Sequence, residues 1–244
     1  MINVEEIYAA ELDREQLINR NKYKNHEGWF SASSAGSCFK KLMLRREGKQ
    51  EPDMDKRVMR LLRLGTIVHE DIQRAITNSE EMSNINYTIM MEKRVEMSDL
   101  KVVGHLDIGI LDKTNGNLKV IDIKTCASYK WRMKFGRKPD PKGNPNYNMQ
   151  LATYLKALGN EVNTDGALEM SLLWYNKDTS ALREEPILND WIGNAIEYWE
   201  ELNEYLENVN SENGEELIPG SYGVPMMNWE CRYCGYKDIY CQGL

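Results

Sequence analysis

With 244 residues, of which 41% are hydrophobic and 28% charged, the chain has the length and make-up of an ordinary globular protein that buries its core without disulfides. Its first residues, Met1 to Glu6, form neither a basic nor an apolar leader, and no window approaches a run of about 18 apolar residues, so secretion and membrane insertion are unsupported and a cytoplasmic location is expected, in a prokaryote or for a virus in its host cell. The net charge of −7 argues against a nucleic-acid partner, but eleven acidic side chains and no Lys or Arg lie between Glu184 and Glu216, which leaves the remainder net basic.

Residues 1–30 read as a polar, amphipathic helical start that ends in Gly28-Trp29-Phe30. Ser31 to Ser37 is small and polar, with Ser33 or Ser34 placed to cap a helix over Cys38–Arg46. The spacing of Val58, Leu61, Leu62, Gly65, Val68, Ile72 and Ile76 predicts an amphipathic helix over 55–78. Residues 85–97 and 101–125 read as strands, and 129–146, rich in Lys, Arg, Pro, Gly and Asn, as a long mobile loop. A helix over 148–158 and an apolar strand over 167–176 follow. A long helix is expected over 187–209, with Trp191, Ile192, Ala195, Ile196, Trp199, Leu202 and Leu206 on one side. Two basic stretches, from Lys40 to Arg63 and from Lys130 to Lys138, fit solvated helix faces or the walls of a phosphate-binding groove.

The chemistry concentrates in Lys101–Leu111 and Leu118–Thr125, joined across Asn115-Gly116. Both turn positions accept positive φ, which predicts a two-residue hairpin loop. Counting back from a Thr114–Asn117 pair sets Gly109 opposite Asp122 and Asp107 opposite Lys124. Side chains alternate faces along a strand, so Asp107, Asp122 and Lys124 share one face. Val102, Leu106, Ile108, Ile110, Ile121 and Ile123 form the other, an apolar one. Two neighbouring carboxylates repel unless a cation lies between them, and hard oxygen ligands suit Mg²⁺ or Mn²⁺. The adjacent ammonium is placed to orient water or stabilise charge at a phosphate. The alternative for these residues is a solvent-facing hairpin with ordinary salt bridges.

Two flanking features bear on that choice. His69 lies four residues after Gly65 on the same helix face, with Gly65 permitting close packing, and Gln150 shares a face with Tyr154. In order and spacing, Gly65–His69, Gly104-His105-Leu106-Asp107, Asp122-Ile123-Lys124 and Gln150–Tyr154 resemble the motif series of RecB-type nucleases of the PD-(D/E)XK superfamily, across residues 60–155. The resemblance implies an α/β (α+β) restriction-endonuclease-like core, a central mixed sheet flanked by helices. It implies metal ligation by His69, Asp107, Asp122 and the carbonyl of Ile123, with Lys124 as the catalytic lysine and Gln150 and Tyr154 contacting DNA. The second acid is Asp122 where many relatives carry Glu.

Cys231, Cys234 and Cys241 form a Cys-x₂-Cys-x₆-Cys series, and without a secretory signal a metal explains them better than disulfides. A fourth ligand is needed, and Cys38 and Cys126 are the candidates. A cluster at Cys126, on the Lys124 strand, would crowd the site. One cysteine near the N-terminus and three near the C-terminus resemble the iron–sulfur staple of AddB-type and CRISPR-associated RecB-like exonucleases. By that resemblance Cys38, Cys231, Cys234 and Cys241 hold a structural [4Fe–4S] cluster, with Zn²⁺ on the same four ligands as the alternative, and Cys126 is a free thiol. The expected organisation is a single domain over 1–244, with its core at 55–180 and a clipped layer formed by 31–50 and 219–244. The expected activity is metal-dependent exonucleolytic hydrolysis of single-stranded DNA ends, 5′→3′ by resemblance. The alternatives are a structure-specific endonuclease and a DNA-binding or recruitment subunit of a recombination, repair or spacer-acquisition complex, with nucleic-acid-processing proteins as partners.

Overall fold

The structure, a computed structural model, describes residues 2–241 apart from 24–27, 50, 53, 84, 141–142, 163 and 211–229. In chain order the elements are α1 (Val4–Tyr23), β1 (Phe30–Ser31), α2 (Phe39–Arg46), α3 (Lys56–Thr77), β2 (Tyr87–Met97), β3 (Val102–Asp112), β4 (Leu118–Cys126), α4 (Ser128–Phe135), α5 (Pro145–Val162), β5 (Leu168–Asn176), β6 (Leu182–Ile187), α6 (Trp191–Asn210) and α7 (Lys237–Tyr240).

Six strands form one mixed sheet, which is the expected fold class. β3 is its hub. β2 runs antiparallel to it, from Tyr87 opposite Asp112 to Met97 opposite Val102, with no pair at Glu92. The other edge of β3 is divided: β1 pairs in parallel at Val102 and Val103, and β4 pairs antiparallel from Ile108 to Leu111. Gly104 to Asp107 lie in the interval between those two partners. β4 then pairs in parallel with β5 along its full length, and β5 antiparallel with β6.

Helices cover both faces. The amphipathic spacing of α5 buries Met149, Leu151, Ala152, Leu155 and Leu158 in a core with Leu106, Leu118, Val120, Met170, Leu172 and Trp174 of the sheet. Trp199, Leu202 and Leu206 of α6 extend that core, and the Trp199 indole N–H donates to Thr153 Oγ1 at 2.9 Å, so the buried ring keeps its polar group paired. A smaller cluster on the α3 side joins Ile108, Ile121 and Ile123 to Ile72 and Ile76.

Several sequence expectations change here. The β3–β4 register places Ile108 opposite Ile121, so Asp107 stands across from Asp122 rather than Lys124. The connection is a four-residue loop, Lys113 to Gly116, in which Asp112 Oδ1 accepts from the N–H (2.9 Å) and hydroxyl (2.6 Å) of Thr114 and the Gly116 N–H donates to the Asp112 carbonyl at 2.8 Å. A shift of two residues leaves every side chain on its predicted face, because the strand period is two. The apolar set does not share one face, however. Val102 and Leu106 pack in the α5 core while Ile108 and Ile110 pack toward α3, so alternation breaks at Asp107.

Residues 129–135, expected as the start of a loop over 129–146, lie in α4, where the tilted Trp131 and Phe135 rings meet at 4.8 Å and Phe135 anchors the helix to Trp174. β6 lies where no alternating apolar pattern marks a strand; it adds to the sheet as an edge with Arg183, Glu184 and Glu185 along it. Ser33 and Ser34 form a 3₁₀ turn, and Cys38 occupies the position before α2 without a side-chain cap. In α3, Asp55 caps the first turn, yet Met59 alone is fully buried, and Val58, Leu61 and Leu62 remain 41%, 42% and 56% exposed. Among the described residues no helix is long and apolar enough to cross a membrane. Residues 219–229 and 242–244 of the expected clipped layer, and the acidic stretch from Glu212 to Glu216, lie outside the described residues.

Candidate active site

The site occupies the interval where β3 and β4 part. Past the Ile108–Ile121 pair the two strands exchange no further ladder pairs. The Ile123 N–H instead donates to the Asp107 carboxylate, Oδ2, at 2.6 Å. A side chain thereby takes the place of a main-chain acceptor, which satisfies the buried amide and fixes the carboxylate against β4.

From one side, α3 brings His69, whose Nδ1 lies 3.5 Å from Asp107 Oδ2. Close approach of the helix is possible because residue 65 is glycine: a Cβ there would stand 3.2 Å from Thr125 Oγ1. One turn on, Gln73 Nε2 donates to the Asp107 carbonyl at 3.0 Å and to Glu92 Oε1 at 2.7 Å.

From the other side, α5 brings Gln150. Its Oε1 accepts from Lys124 Nζ at 2.9 Å, and its Nε2 donates to Asp122 Oδ1 at 3.2 Å and to the Tyr154 hydroxyl at 3.0 Å. One amide thus orders the acid, the lysine and the phenol together. Gly104 makes room for the Tyr154 ring, since a Cβ there would lie 2.6 Å from Tyr154 Cε1.

Asp122 is 2% exposed and Lys124 Nζ lies 2.6 Å from its Oδ2, an ion contact off the line of a hydrogen bond, so that this buried oxygen has no hydrogen-bond partner. Burial pushes the Asp122 carboxyl up to about 6; the Lys124 charge pulls it down and the Asp107 charge pushes it up. For Lys124, burial favours the neutral amine, but the Asp122 and Asp107 carboxylates and the Tyr147 phenol outweigh it and raise its pKa. For His69, burial works against the cation, and Asp107 and Asp122 outweigh it and hold the imidazole above its usual range. Burial raises the Tyr154 phenol far above the ordinary value.

Every predicted site residue of the hairpin and its flanking helices, His69, Asp107, Asp122, Ile123, Lys124, Gln150 and Tyr154, meets at this interval. Sequence reasoning missed Tyr147, whose ring lies 4.5 Å from Lys124 Nζ, and Gln73. Both had a signal, since Tyr147 precedes Gln150 by three residues and Gln73 follows His69 by four, each on the helix face already implicated. Among the described residues no group of three or more His, Cys, Asp or Glu side chains is placed so that it could hold a metal ion. The residue types brought together, two carboxylates with an imidazole 3.5 Å from one of them, are nevertheless those a hard divalent cation takes.

Four of the cysteines lie at the start of α2 and in the C-terminal segment. Burial raises the thiol pKa of Cys38, and Glu230 and Cys241 add to the rise; burial likewise raises Cys241, with Cys234 and Cys231 adding to it. Cys126 has Lys130, Lys177 and Asp178 as its charged neighbours, apart from that group. The C-terminal segment docks on α2 through Glu230, which is 8% exposed, accepts from the Cys38 N–H at 3.3 Å and pairs with Lys41 at 3.0 Å. Tyr236 donates to the Lys49 carbonyl at 2.8 Å.

The fold resembles the crystal structure of SSO0001, with a TM-score of 0.55 and 19% identity over 99% of this chain and 100% of that one. A weaker likeness, TM-score 0.48 and 14% identity, joins it to an alkaline exonuclease (LHK-Exo) from Laribacter hongkongensis, over 77% of this chain and 92% of that one. The complex of LHK-Exo with dAMP gives a TM-score of 0.48 at 14% identity, over 76% and 91%. Among curated proteins none matches. The sequence pattern of the PD-(D/E)XK nuclease superfamily matches residues 37–242, and the chain belongs to that superfamily.

Proposed function

We propose that the chain hydrolyses phosphodiester bonds of DNA in a Mg²⁺- or Mn²⁺-dependent reaction, working from single-stranded ends as a RecB-like exonuclease, with 5′→3′ polarity by resemblance. The observation that carries the reading is the convergence of His69, Asp107, Asp122 and Lys124 where β3 and β4 part. His69, Asp107, Asp122 and the Ile123 carbonyl are the proposed metal ligands. When bound, the cation would supply Lewis acidity and lower the pKa of a water bound to it. Lys124 keeps its proton beside two carboxylates and presents a fixed positive charge toward a phosphate oxygen. Gln150 fixes the direction of that ammonium through its Oε1, and the Tyr147 ring bounds it on another side. Gln150 is the proposed substrate contact, and Tyr154, only 3% exposed, acts on a nucleotide through its bond to Gln150.

The test is cleavage of an end-labelled linear single strand and its circular counterpart with Mn²⁺ or Mg²⁺. Loss of the linear strand alone is expected; cutting of the circle would replace the exonuclease by an endonuclease, and no cleavage of either would sink the reading.

Cys38, Cys231, Cys234 and Cys241 are proposed to hold a structural [4Fe–4S] cluster that clips 31–50 to 219–244. The buried Glu230–Lys41 link between the two segments, with Glu230 also accepting from the Cys38 N–H, supports it. Metal–thiolate bonds formed only in the folded state stabilise that state directly. Cys231→Ala removes the broad visible absorbance of anaerobically purified protein; a colourless, zinc-containing wild type would reassign the metal.

A further inference from the structure

Glu92 lies in the middle of an eleven-residue strand, yet its φ is +46°. The other non-glycine residues with positive φ among those described, Lys101 and Ser180, lie outside the strands. A carboxylate side chain in the left-handed region persists only where its surroundings over-determine it. Here the surroundings are specific. Ladder pairs flank Glu92 on both sides, Met91 with Ile108 and Lys93 with Leu106, while Glu92 and Asp107, the pair between them, make none. The break in β2 therefore stands beside the parting of β3 and β4, and Asp107 belongs to both.

One side chain ties these breaks together. Gln73 Nε2 carries two hydrogens, and they serve two acceptors, Glu92 Oε1 at 2.7 Å and the Asp107 main-chain carbonyl at 3.0 Å. Asp107 is thus held by its carbonyl through Gln73 and by its carboxylate through the Ile123 N–H, with His69 beside it. His69 and Gln73 are one helical turn apart on α3, so one helix face addresses the side chain and the main chain of the same residue.

We infer that Gln73 is a positioning residue for the acid Asp107: with the strained Glu92 as its second anchor, it keeps the Asp107 main chain out of the regular ladder and so keeps the carboxylate opposite Asp122. The inference rests on the metal-site reading above. Without the amide, the carbonyl loses its donor, Glu92 relaxes from the left-handed conformation, and the carboxylate is held by the Ile123 N–H alone, on a main chain no longer fixed. Glutamate cannot substitute, because it would set a third acceptor against two others.

Mn²⁺ binding to DNA-free protein, followed by electron paramagnetic resonance, reads the positioning directly. Gln73→Met and Gln73→Glu weaken Mn²⁺ binding by about 10- to 100-fold, the range for loss of a group that orients a ligand. Both lower kcat with little change in KM for DNA, while circular dichroism stays that of the wild type. The double variant Gln73→Glu with Glu92→Gln restores a bond between positions 73 and 92 but gives the Asp107 carbonyl no donor, so its Mn²⁺ binding stays weak. Glu92→Gly accepts the same φ without the anchor and weakens binding less than Gln73→Met. Wild-type affinity in folded Gln73→Met, or recovery in the double variant, overturns the inference alone. A wild-type protein that binds no Mn²⁺ overturns the metal site and this inference with it. If Gln73→Met does not fold, Glu92→Gly decides the matter, since unchanged Mn²⁺ affinity there overturns the inference.

Discussion

Replacing Lys124 by Met keeps most of the aliphatic stem and removes the charge 2.6 Å from a carboxyl that is 2% exposed. Cleavage activity is lost, and the stability change depends on pH in a direction fixed by Asp122. Its pKa in the folded chain is about 6, above the ordinary 3.8, so the folded state holds this proton more tightly than the unfolded state. That contribution is complete below about pH 4 and is lost as pH rises through about 6. Removing the ammonium takes away the charge that holds the value down and carries it higher still. At pH 5 the carboxyl is mostly neutral with or without Lys124, and the substitution costs little through it. Above pH 6 the variant folds with a neutral Asp122 only by taking up a proton, at about 1.4 kcal/mol per pH unit. The ceiling is therefore on the order of 1 kcal/mol at pH 7 and 3 kcal/mol at pH 8. Neither exceeds the roughly 3–5 kcal/mol of an uncompensated buried charge, because protonation offers the carboxyl an escape. Urea unfolding of wild type and variant at pH 5, 6, 7 and 8, in chelator, measures the difference. A deficit equal at pH 5 and pH 8 would refute the argument.

Two protons govern metal affinity: Mn²⁺ binding measured by calorimetry strengthens as pH rises through the range where Asp122, near 6, and His69, held above its usual value, lose their protons, and it falls more steeply than tenfold per unit below both. Gly104→Ala drives a Cβ to within 2.6 Å of Tyr154 Cε1 and 2.8 Å of Ala32 Cβ, and lowers unfolding stability by about 1–3 kcal/mol while cutting activity through the displaced Tyr154–Gln150 bond. Gly65→Ala is nearly neutral in the same unfolding assay, since its 3.2 Å approach to the Thr125 hydroxyl is offset by a gain in helix propensity of about 1 kcal/mol. Glu230→Ala leaves Lys41 and the Cys38 amide without their acceptor and costs about 1.5–3 kcal/mol, seen as faster proteolysis of the C-terminal segment.

The residues of the site were legible in the sequence because strand alternation and helical spacing survive errors of register. Placing the turn at Asn115-Gly116 put Asp107 opposite Lys124, yet a two-residue shift preserves faces, and Asp107, Asp122 and Lys124 still converge. What alternation could not reveal was its own failure at Asp107, where the left-handed Glu92 and the parted strands separate Leu106 from Ile108. The helix at 128–135 was hidden because its lysines and arginine read as loop composition, whereas Trp131 and Phe135 fold it against Trp174. β6 was hidden for a related reason: an edge strand needs backbone partners from β5 more than it needs apolar side chains. The long helix from Trp191 was plain, because Ala195, Trp199, Leu202 and Leu206 repeat at the helical period and are all buried.

α3 runs for 22 residues with a single fully buried side chain, and α1 lies on it, joined by the Lys56–Asp13 and Arg63–Glu15 pairs. Much of its attachment to the sheet is polar: His69 and Gln73 on Asp107, and Lys177 Nζ on the Leu61 carbonyl. The wall of the site is therefore fastened in large part by the site's own residues. Whatever binds His69 and Asp107 together tightens a helix that apolar contact leaves loosely seated, and amide exchange along α3 and α1 becomes a gauge of occupancy read some distance from the chemistry.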